Sequence, residues 1–160
     1  MTRRKLAVCL AALWGAVLVL GAGAALAAGD VQSGTWKMNP AKSKYDGPPP
    51  KSATVKIESN PQEIRLDAQG VGANDQATHT QFQAKYDGKD YPATGLPVGD
   101  HVSVKRVNEN TIQVTMKEDG AALMTVMSVV SKDGKTRTST YSGKDAQGHD
   151  VHTVVVYDKQ

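Results

Sequence analysis

Polar and apolar residues alternate along most of the chain. The pattern is clearest where Ile112, Val114 and Met116 are separated by Gln113 and Thr115. Because successive side chains of a β-strand point to opposite faces, a period of two predicts strands with one buried and one wet face. Convincing helical periodicity is absent, so the sequence predicts an all-β fold. The candidate strands, each bounded by turn residues, are Thr35–Asn39, Ala53–Ser59, Glu63–Ala68, Thr78–Tyr86, Val102–Val107, Thr111–Lys117, Ala122–Val130, Thr136–Ser142 and Val151–Tyr157.

Short loops rich in Asp, Asn and Gly join these segments, for example Asn108–Asn110, Glu118–Gly120 and Lys132–Lys135. Such loops make antiparallel hairpins, because parallel strands need crossovers of about a dozen residues or more. A meander of this kind has two exposed edges unless it closes on itself. We therefore predict one domain, residues 28–160, in which an antiparallel up-and-down meander closes into a small β-barrel. An open two-sheet β-sandwich is the alternative.

Two connections are longer and form candidate rim elements. After the first strand, Asn39 could cap a short helical turn that begins at Pro40, because proline at that position sacrifices no needed donor. Residues Gly47–Pro50 then enforce an extended passage. This connection is either a small lid over one barrel mouth or a stiff crossing between two strands. The second candidate rim loop is Tyr91–Asp100.

The N-terminus has the pattern of a secretory signal. Basic residues Arg3, Arg4 and Lys5 precede an almost wholly apolar run, and Ala25-Leu26-Ala27 offers a small-x-small cleavage site. A membrane anchor is the alternative, since about 20 apolar residues span a bilayer. The run is rich in Ala and Gly and no basic stop-transfer cluster follows it, which favours cleavage. We predict a signal peptide over residues 1–27 and a periplasmic or secreted protein.

Removal of the signal peptide changes the charge and the cysteine content. The chain has 19 basic and 16 acidic side chains, and three of the basic ones are Arg3, Arg4 and Lys5, so the remainder is formally neutral. Neutrality gives no reason to expect nucleic acid or an anionic membrane surface as a partner. The single cysteine, Cys9, also leaves, so no disulfide can form and stability must come from a hydrophobic core.

Candidate catalytic and metal-binding motifs are weak. The pair His149 and His152 has ligand spacing for a helix, but residues three apart on a strand face opposite sides. The neighbours Asp100 and His101 are expected to face apart, because adjacent residues of a strand point to opposite faces. No G-x-S-x-G nucleophile elbow is present. We predict no metal, no cofactor and no enzymatic activity.

The stretch GTWKMNP places Gly34-x-Trp36 on the first strand, ahead of an up-and-down series of strands. In this respect the chain resembles the lipocalins and fatty-acid-binding proteins, the calycins. The resemblance implies a barrel in which Trp36 packs across one end as a structural plug. It also implies a ligand held inside.

The C-terminal VVVYDKQ is similar to the last strand of the intracellular fatty-acid-binding proteins. In those proteins an Arg-x-Tyr pair contacts a ligand carboxylate. Tyr157 matches the tyrosine of the pair, and Val155 stands in place of the arginine. The two helices that cover the barrel mouth in that family have no counterpart here.

Another arginine can replace the one missing at Val155. Arg106 shares the parity of Val102 and Val104, so it is predicted to face inward as the cation for an anionic head group. The alternative is that Arg106, at a strand end, extends to water along its own stem. Aromatic residues predicted to face inward complete the candidate site: Phe82, Tyr86, Tyr141 and Tyr157.

Two functions remain open at this point. The first is an exported, non-enzymatic protein that holds a small hydrophobic or amphipathic ligand inside the barrel. The second follows from the low aromatic content, 5% of residues, because a small barrel can be filled by its own side chains. Such a filled barrel would act through its surface, as an interaction or inhibitor module of the cell envelope.

Overall fold

The computed structural model describes residues 29–160, and the predicted signal peptide lies outside the described residues. The described part contains ten β-strands and one 3₁₀ turn at Pro40–Lys42. The strands are β1 (Gly34–Met38), β2 (Ser52–Ser59), β3 (Glu63–Val71), β4 (Ala77–Lys85), β5 (Asp87–Thr94), β6 (His101–Asn108), β7 (Thr111–Glu118), β8 (Ala121–Val130), β9 (Thr136–Lys144) and β10 (Asp150–Lys159).

Each strand pairs antiparallel with its neighbours in sequence, and β1 also pairs with β10, which closes the barrel. This arrangement confirms the predicted all-β meander and its closure, and the open sandwich is wrong. Closure pairs the two edges that such a meander would otherwise expose. Within β1, Trp36 pairs with Lys159 of β10 on one side and with Val55 of β2 on the other.

Strand β5 was missed by the sequence prediction, which assigned Tyr91–Asp100 to a rim loop. Gly88 and Pro92 disfavour a strand in this segment, because proline has no N–H to donate to the backbone hydrogen bonds of a sheet and glycine weakens a strand interior. The strand forms nonetheless, with only two residue pairs to β4, Gln81↔Thr94 and Phe82↔Ala93. Its pairing with β6 is interrupted by a shift in register.

The connection between β1 and β2 begins with the predicted turn at Pro40. The side chain of Asn39 does not cap the turn and instead donates from Nδ2 to Asp158 Oδ2 at 2.6 Å. Beyond the turn, Lys44 exchanges two backbone hydrogen bonds with Val154, of 2.7 and 2.8 Å. This segment therefore runs along the barrel wall beside β10, as a crossing between strands and not as a lid.

Burial differs between the two ends of the barrel. At the end where β1 begins, which we call the closed end, the inward aliphatic side chains of Ile57, Ile64, Ile112 and Val130 are at most 2% exposed. At the opposite end, which we call the accessible end, the inward row consists of small residues, of which Ala53 and Gly70 are partly exposed and Thr78 is exposed. Each large apolar side chain buried at the closed end stabilises the fold by roughly 1.5–3 kcal/mol.

Candidate functional site

A buried arginine, Arg137, lies inside the barrel near the closed end. It is 4% exposed. Its position follows from the alternation of β9, where Arg137, Ser139 and Tyr141 share the inward face. Cross-strand pairing places Arg137 directly between Tyr157 on β10 and Val130 on β8. A cationic side chain is thus built into the interior by the strand register alone.

Arg137 carries a charge that no carboxylate balances. Its Nη1 donates a hydrogen bond of 2.6 Å to Oε1 of Gln32, which is a neutral amide. Within residues 29–160, none of the ion pairs includes Arg137. Burial lowers the pKa of the guanidinium to about 10, so the group remains protonated at neutral pH. The barrel interior therefore holds an uncompensated positive charge.

Two inward tyrosine side chains lie on the strands that carry this charge. Tyr157 lies directly opposite Arg137 on β10, and Tyr141 shares the inward face of β9. Burial raises the pKa of Tyr141 and raises that of Tyr157 well above its usual value of 10. Both phenols therefore keep their protons at neutral pH and can act as hydrogen-bond donors.

Arg106 also faces inward, as predicted from its parity, but its charge is already paired. Its Nη2 lies 2.6 Å from Asp30 Oδ2 and also donates to Ser59 Oγ at 3.1 Å. Its guanidinium carbon stacks 4.3 Å from the centroid of the Tyr86 ring. Arg106 is therefore held by side chains of the closed end, and its own side chain is 21% exposed. Its contact with a ligand head group stays a prediction.

Residues Asp30–Ser33 cover the closed end. Gln32 is fully buried, and its Nε2 donates to the backbone oxygen of Asn110 at 2.9 Å. The indole Nε1 of Trp36 donates to the backbone oxygen of Gln32 at 3.2 Å, and Trp36 is itself fully buried. This N-terminal segment thus connects the predicted plug residue to Arg137 through Gln32, and to Arg106 through Asp30.

All six residues singled out from the sequence face the interior: Arg106, Phe82, Tyr86, Tyr141, Tyr157 and Trp36. Sequence reasoning missed Arg137, Asp30 and Gln32. The signal for Arg137 was present, because it has the same parity as Tyr141 within one predicted strand. No periodic signal marks Asp30 or Gln32, which precede β1 and reach the arginines only through the fold.

Three of the four histidines pair with nearby aspartates at the surface. His79 contacts Asp67 at 3.2 Å, and His149 contacts Asp145 at 3.1 Å. His101 Nδ1 lies 2.7 Å from Asp100 Oδ1, so the expectation that these neighbours face apart is wrong. The reason is that Asp100 precedes β6 and is free of the strand alternation. Among the described residues, no cluster of three or more His, Cys, Asp or Glu is placed to hold a metal.

A surface groove of about 560 Å³ crosses the outer face of β2–β5. Its polar side chains are bonded to one another: Gln81 donates to Asp67 at 2.6 Å, and Arg65 donates to Gln83 at 3.0 Å. The groove is lined by neither Arg137 nor Tyr157, but the inward residues Leu66, Phe82 and Ala93 contribute to its lining. Residues 29–160 include no helix with the length and apolar character needed to cross a membrane.

Similarity to known proteins is confined to solved structures. No protein family model matches the chain, and no curated protein matches it. Among solved structures, the chain is similar to zebrafish ileal bile acid-binding protein in complex with cholic acid, with a TM-score of 0.49 and 12% sequence identity. The match covers 81% of this chain and 99% of the other.

Proposed function

We propose that the barrel binds one small anionic amphipathic molecule in its interior, with the anionic group at Arg137. The observation that carries this proposal is the burial of Arg137 beside a neutral amide, with no ion pair among the described residues. A buried charge without a partner costs several kcal/mol. A ligand anion would offset that cost, so its pairing with Arg137 would contribute favourably to the free energy of binding.

The groups around Arg137 suit an anion. A guanidinium presents its N–H donors in a planar fork that matches the two oxygens of a carboxylate or a similar oxyanion. Tyr157, directly opposite on β10, and Tyr141 add phenol donors that burial keeps protonated. Arg106 is less suited to this role, because Asp30 already supplies its counter-charge.

The rest of the interior suits an apolar tail. Between Arg137 and the accessible end, the inward side chains are mainly aliphatic, including Val114, Val126 and Met124. The row Ala53, Gly70 and Thr78 at the accessible end consists of small residues, so we propose that the ligand enters there. We propose binding and not catalysis, because a guanidinium and protonated phenols are poor general bases at neutral pH.

The experiment uses two fluorescent probes that differ only in charge. They are 1-anilinonaphthalene-8-sulfonate, which carries one sulfonate, and N-phenyl-1-naphthylamine, which is the same molecule without it. Binding inside the barrel is followed by energy transfer from Trp36, which is buried in the wall. In Arg137→Met we expect the sulfonate probe to lose about 10- to 100-fold in affinity, the range for a hydrogen bond to a charged group.

The neutral probe should bind Arg137→Met about as well as it binds the parent, because the apolar interior is unchanged. Arg65→Met is the matched control, since Arg65 lies on the outer face of β3 and is exposed. Equal sulfonate affinity in the parent and in Arg137→Met would overturn the proposal. Native mass spectrometry of the protein from its own host would then identify the natural ligand.

A second candidate function, interaction through the outer surface, has one observation in its favour. Val107 and Val129 are the exposed large hydrophobic side chains of the described residues, at 55% and 41%. Val129 lies in an uncharged outward row with Thr111, Thr138 and Val156. If this surface carries the function, Val129→Lys should abolish recovery of a cross-linked envelope partner. The same variant should leave binding of the sulfonate probe unchanged.

We also propose that the protein is exported after cleavage near Ala27. Support comes from the basic residues, the apolar run and the Ala25-Leu26-Ala27 pattern of the N-terminal sequence. Fractionation of the host with N-terminal sequencing tests this proposal. A mature N-terminus near Ala28 in the periplasm or medium supports it, and an intact Met1 in a membrane fraction would favour the anchor.

A further inference from the structure

We infer that Asp30 and Gln32 together set the charge selectivity of the interior site, so that it accepts one singly charged anion. Asp30 neutralises Arg106, whereas the amide of Gln32 holds Arg137 without neutralising it. This inference rests on the proposed function and assigns a role to residues that lie outside the barrel wall.

Asp30 and Gln32 make the same kind of contact, in which a side-chain oxygen accepts a hydrogen bond from an arginine, but only Asp30 is charged. Asp30 Oδ2 accepts from Arg106 Nη2 at 2.6 Å, and Gln32 Oε1 accepts from Arg137 Nη1 at 2.6 Å. Both acceptors come from the one short segment that covers the closed end. Each buried arginine therefore has an oxygen partner from this segment, but only one of the two partners is a carboxylate.

The charges of the interior cluster can be counted from these contacts. Lys159, whose Nζ lies 5.0 Å from the centroid of the Trp36 ring, is exposed and lies outside this cluster. Arg106 and Arg137 contribute two positive charges, and Asp30 contributes one negative charge. The neighbouring phenols of Tyr86 and Tyr157 are neutral at neutral pH, because burial raises the pKa of each. The interior cluster therefore carries a net charge of plus one, which a single monovalent anion balances.

The identity of residue 32 follows from its second contact. Gln32 Nε2 donates to the backbone oxygen of Asn110 at 2.9 Å. A carboxylate at this position would form an ion pair with Arg137. Its second oxygen would face the backbone oxygen of Asn110, and two acceptors cannot form a hydrogen bond with each other. An amide satisfies both neighbours and keeps the charge of Arg137 available. Gln32 is thus a positioning residue for the arginine and leaves it open to a ligand.

Four proteins test the inference by changing the interior charge in single steps. Gln32→Glu lowers the net charge of the cluster to zero, and Asp30→Asn raises it to plus two. The double variant with both changes returns it to plus one. The probe is 1-anilinonaphthalene-8-sulfonate, with its neutral analogue N-phenyl-1-naphthylamine measured alongside.

We expect Gln32→Glu to weaken sulfonate binding by about tenfold or more, because an internal carboxylate then occupies Arg137. Asp30→Asn should strengthen it, and the double variant should bind the sulfonate probe more tightly than Gln32→Glu does, because Arg106 is then unpaired. The neutral probe should follow none of these changes. The matched control is Gln113→Glu, which adds the same charge to the outer face of β7.

Two further variants separate charge from folding. Gln32→Leu removes both side-chain hydrogen bonds without adding charge, so it should keep most of the sulfonate affinity that Gln32→Glu loses. If Gln32→Glu does not fold, the inference is tested by whether Asp30→Asn binds the sulfonate probe more tightly than the parent does. If neither Gln32→Glu nor Asp30→Asn changes the affinity for the sulfonate probe, the inference is overturned.

The proposed function can fail separately. Should Arg137→Met bind the sulfonate probe as tightly as the parent, the proposed function falls, and this inference falls with it. Should Arg137→Met lose affinity while Gln32→Glu and Asp30→Asn leave it unchanged, only the inference on Asp30 and Gln32 is overturned.

Discussion

Arg137 and Tyr157 lie directly opposite each other on β9 and β10, with both side chains inside the barrel. The family resemblance placed an arginine two residues before Tyr157 on the same strand, where this chain has Val155. Opposed residues on neighbouring antiparallel strands have Cβ atoms about 4.5–5.5 Å apart, closer than residues two apart on one strand. The pairing of β9 with β10 thus supplies a cation beside Tyr157 from another strand.

Replacement of Arg137 should stabilise the unliganded protein. In Arg137→Met we expect the free energy of unfolding to rise by about 1–3 kcal/mol, because an apolar side chain of similar length removes the desolvation cost of an unpaired buried charge. Urea denaturation at pH 7 measures the change. A clear loss of stability would mean that the interior relies on this arginine for its fold and not for a ligand.

Replacement of Arg106 should have the opposite effect. Arg106→Met leaves the Asp30 carboxylate, which is 10% exposed, without its partner. Breaking such a buried pair costs about 3–5 kcal/mol. Adding Asp30→Asn to the same chain should recover much of the loss, since no charge is then left unpaired. Equal stability of the single and double variants in urea would show that the ion pair contributes little.

Alkaline pH should destabilise the protein. Tyr86, Tyr141 and Tyr157 have folded-state pKa values raised by burial above 10, so above pH 10 the unfolded chain loses protons that the folded chain keeps. Arg137 acts in the opposite direction between pH 10 and 12.5, because its folded pKa is lowered to about 10, but it is one group against three. The free energy of unfolding should therefore fall as pH rises above 10. In Tyr157→Phe the fall should be shallower, as urea titrations at pH 8, 9.5 and 11 would show.

Trp36 should contribute strongly to stability. It is fully buried and bonded to the backbone of Gln32. We expect Trp36→Ala to lower the free energy of unfolding by roughly 3–5 kcal/mol, the usual cost of such a cavity. Trp36→Phe keeps most of the volume and should cost less. A Trp36→Ala variant as stable as the parent would contradict the plug role.

Gly95 should be intolerant of any side chain. It follows β5 with φ +65°, and a Cβ there would collide with the backbone oxygen of His79 on β4. Gly95→Ala therefore has to disturb the short pairing of β4 with β5. Gly120→Ala is the control, because Gly120 has a similar φ of +79° and open space around its Cα. We expect Gly120→Ala to cost about 1–3 kcal/mol from backbone strain alone, and Gly95→Ala to lower the melting temperature further.

Strands with clean alternation were predictable, and those with breakers were not. The segment Thr111–Lys117 was placed to within one residue, because its apolar period and its flanking turns agree. Strand β5 was not predicted, because Gly88 and Pro92 oppose it locally and only its neighbours β4 and β6 hold it in place. Tertiary pairing overrides local preference at such positions.

For the site, the sequence determined which residues face inward, since parity follows from the two-residue period of a strand. This held for Arg106, Phe82, Tyr141 and Tyr157, and it applied equally to Arg137. Parity does not predict which groups will contact each inward charged side chain. That depends on which distant groups the chain brings to the closed end.

Only the tertiary structure decided which arginine is paired. Asp30 reaches Arg106 across 76 residues of sequence, and Gln32 reaches Arg137 across 105. Nothing local to either arginine encodes these contacts, because they exist only once β1 has closed the barrel against β10. The sequence by itself therefore predicted an antiparallel meander, with a closed barrel preferred to an open sandwich, and an inward position for Arg106. Closure decided that one of the two arginines is neutralised and that the other remains charged beside Tyr157.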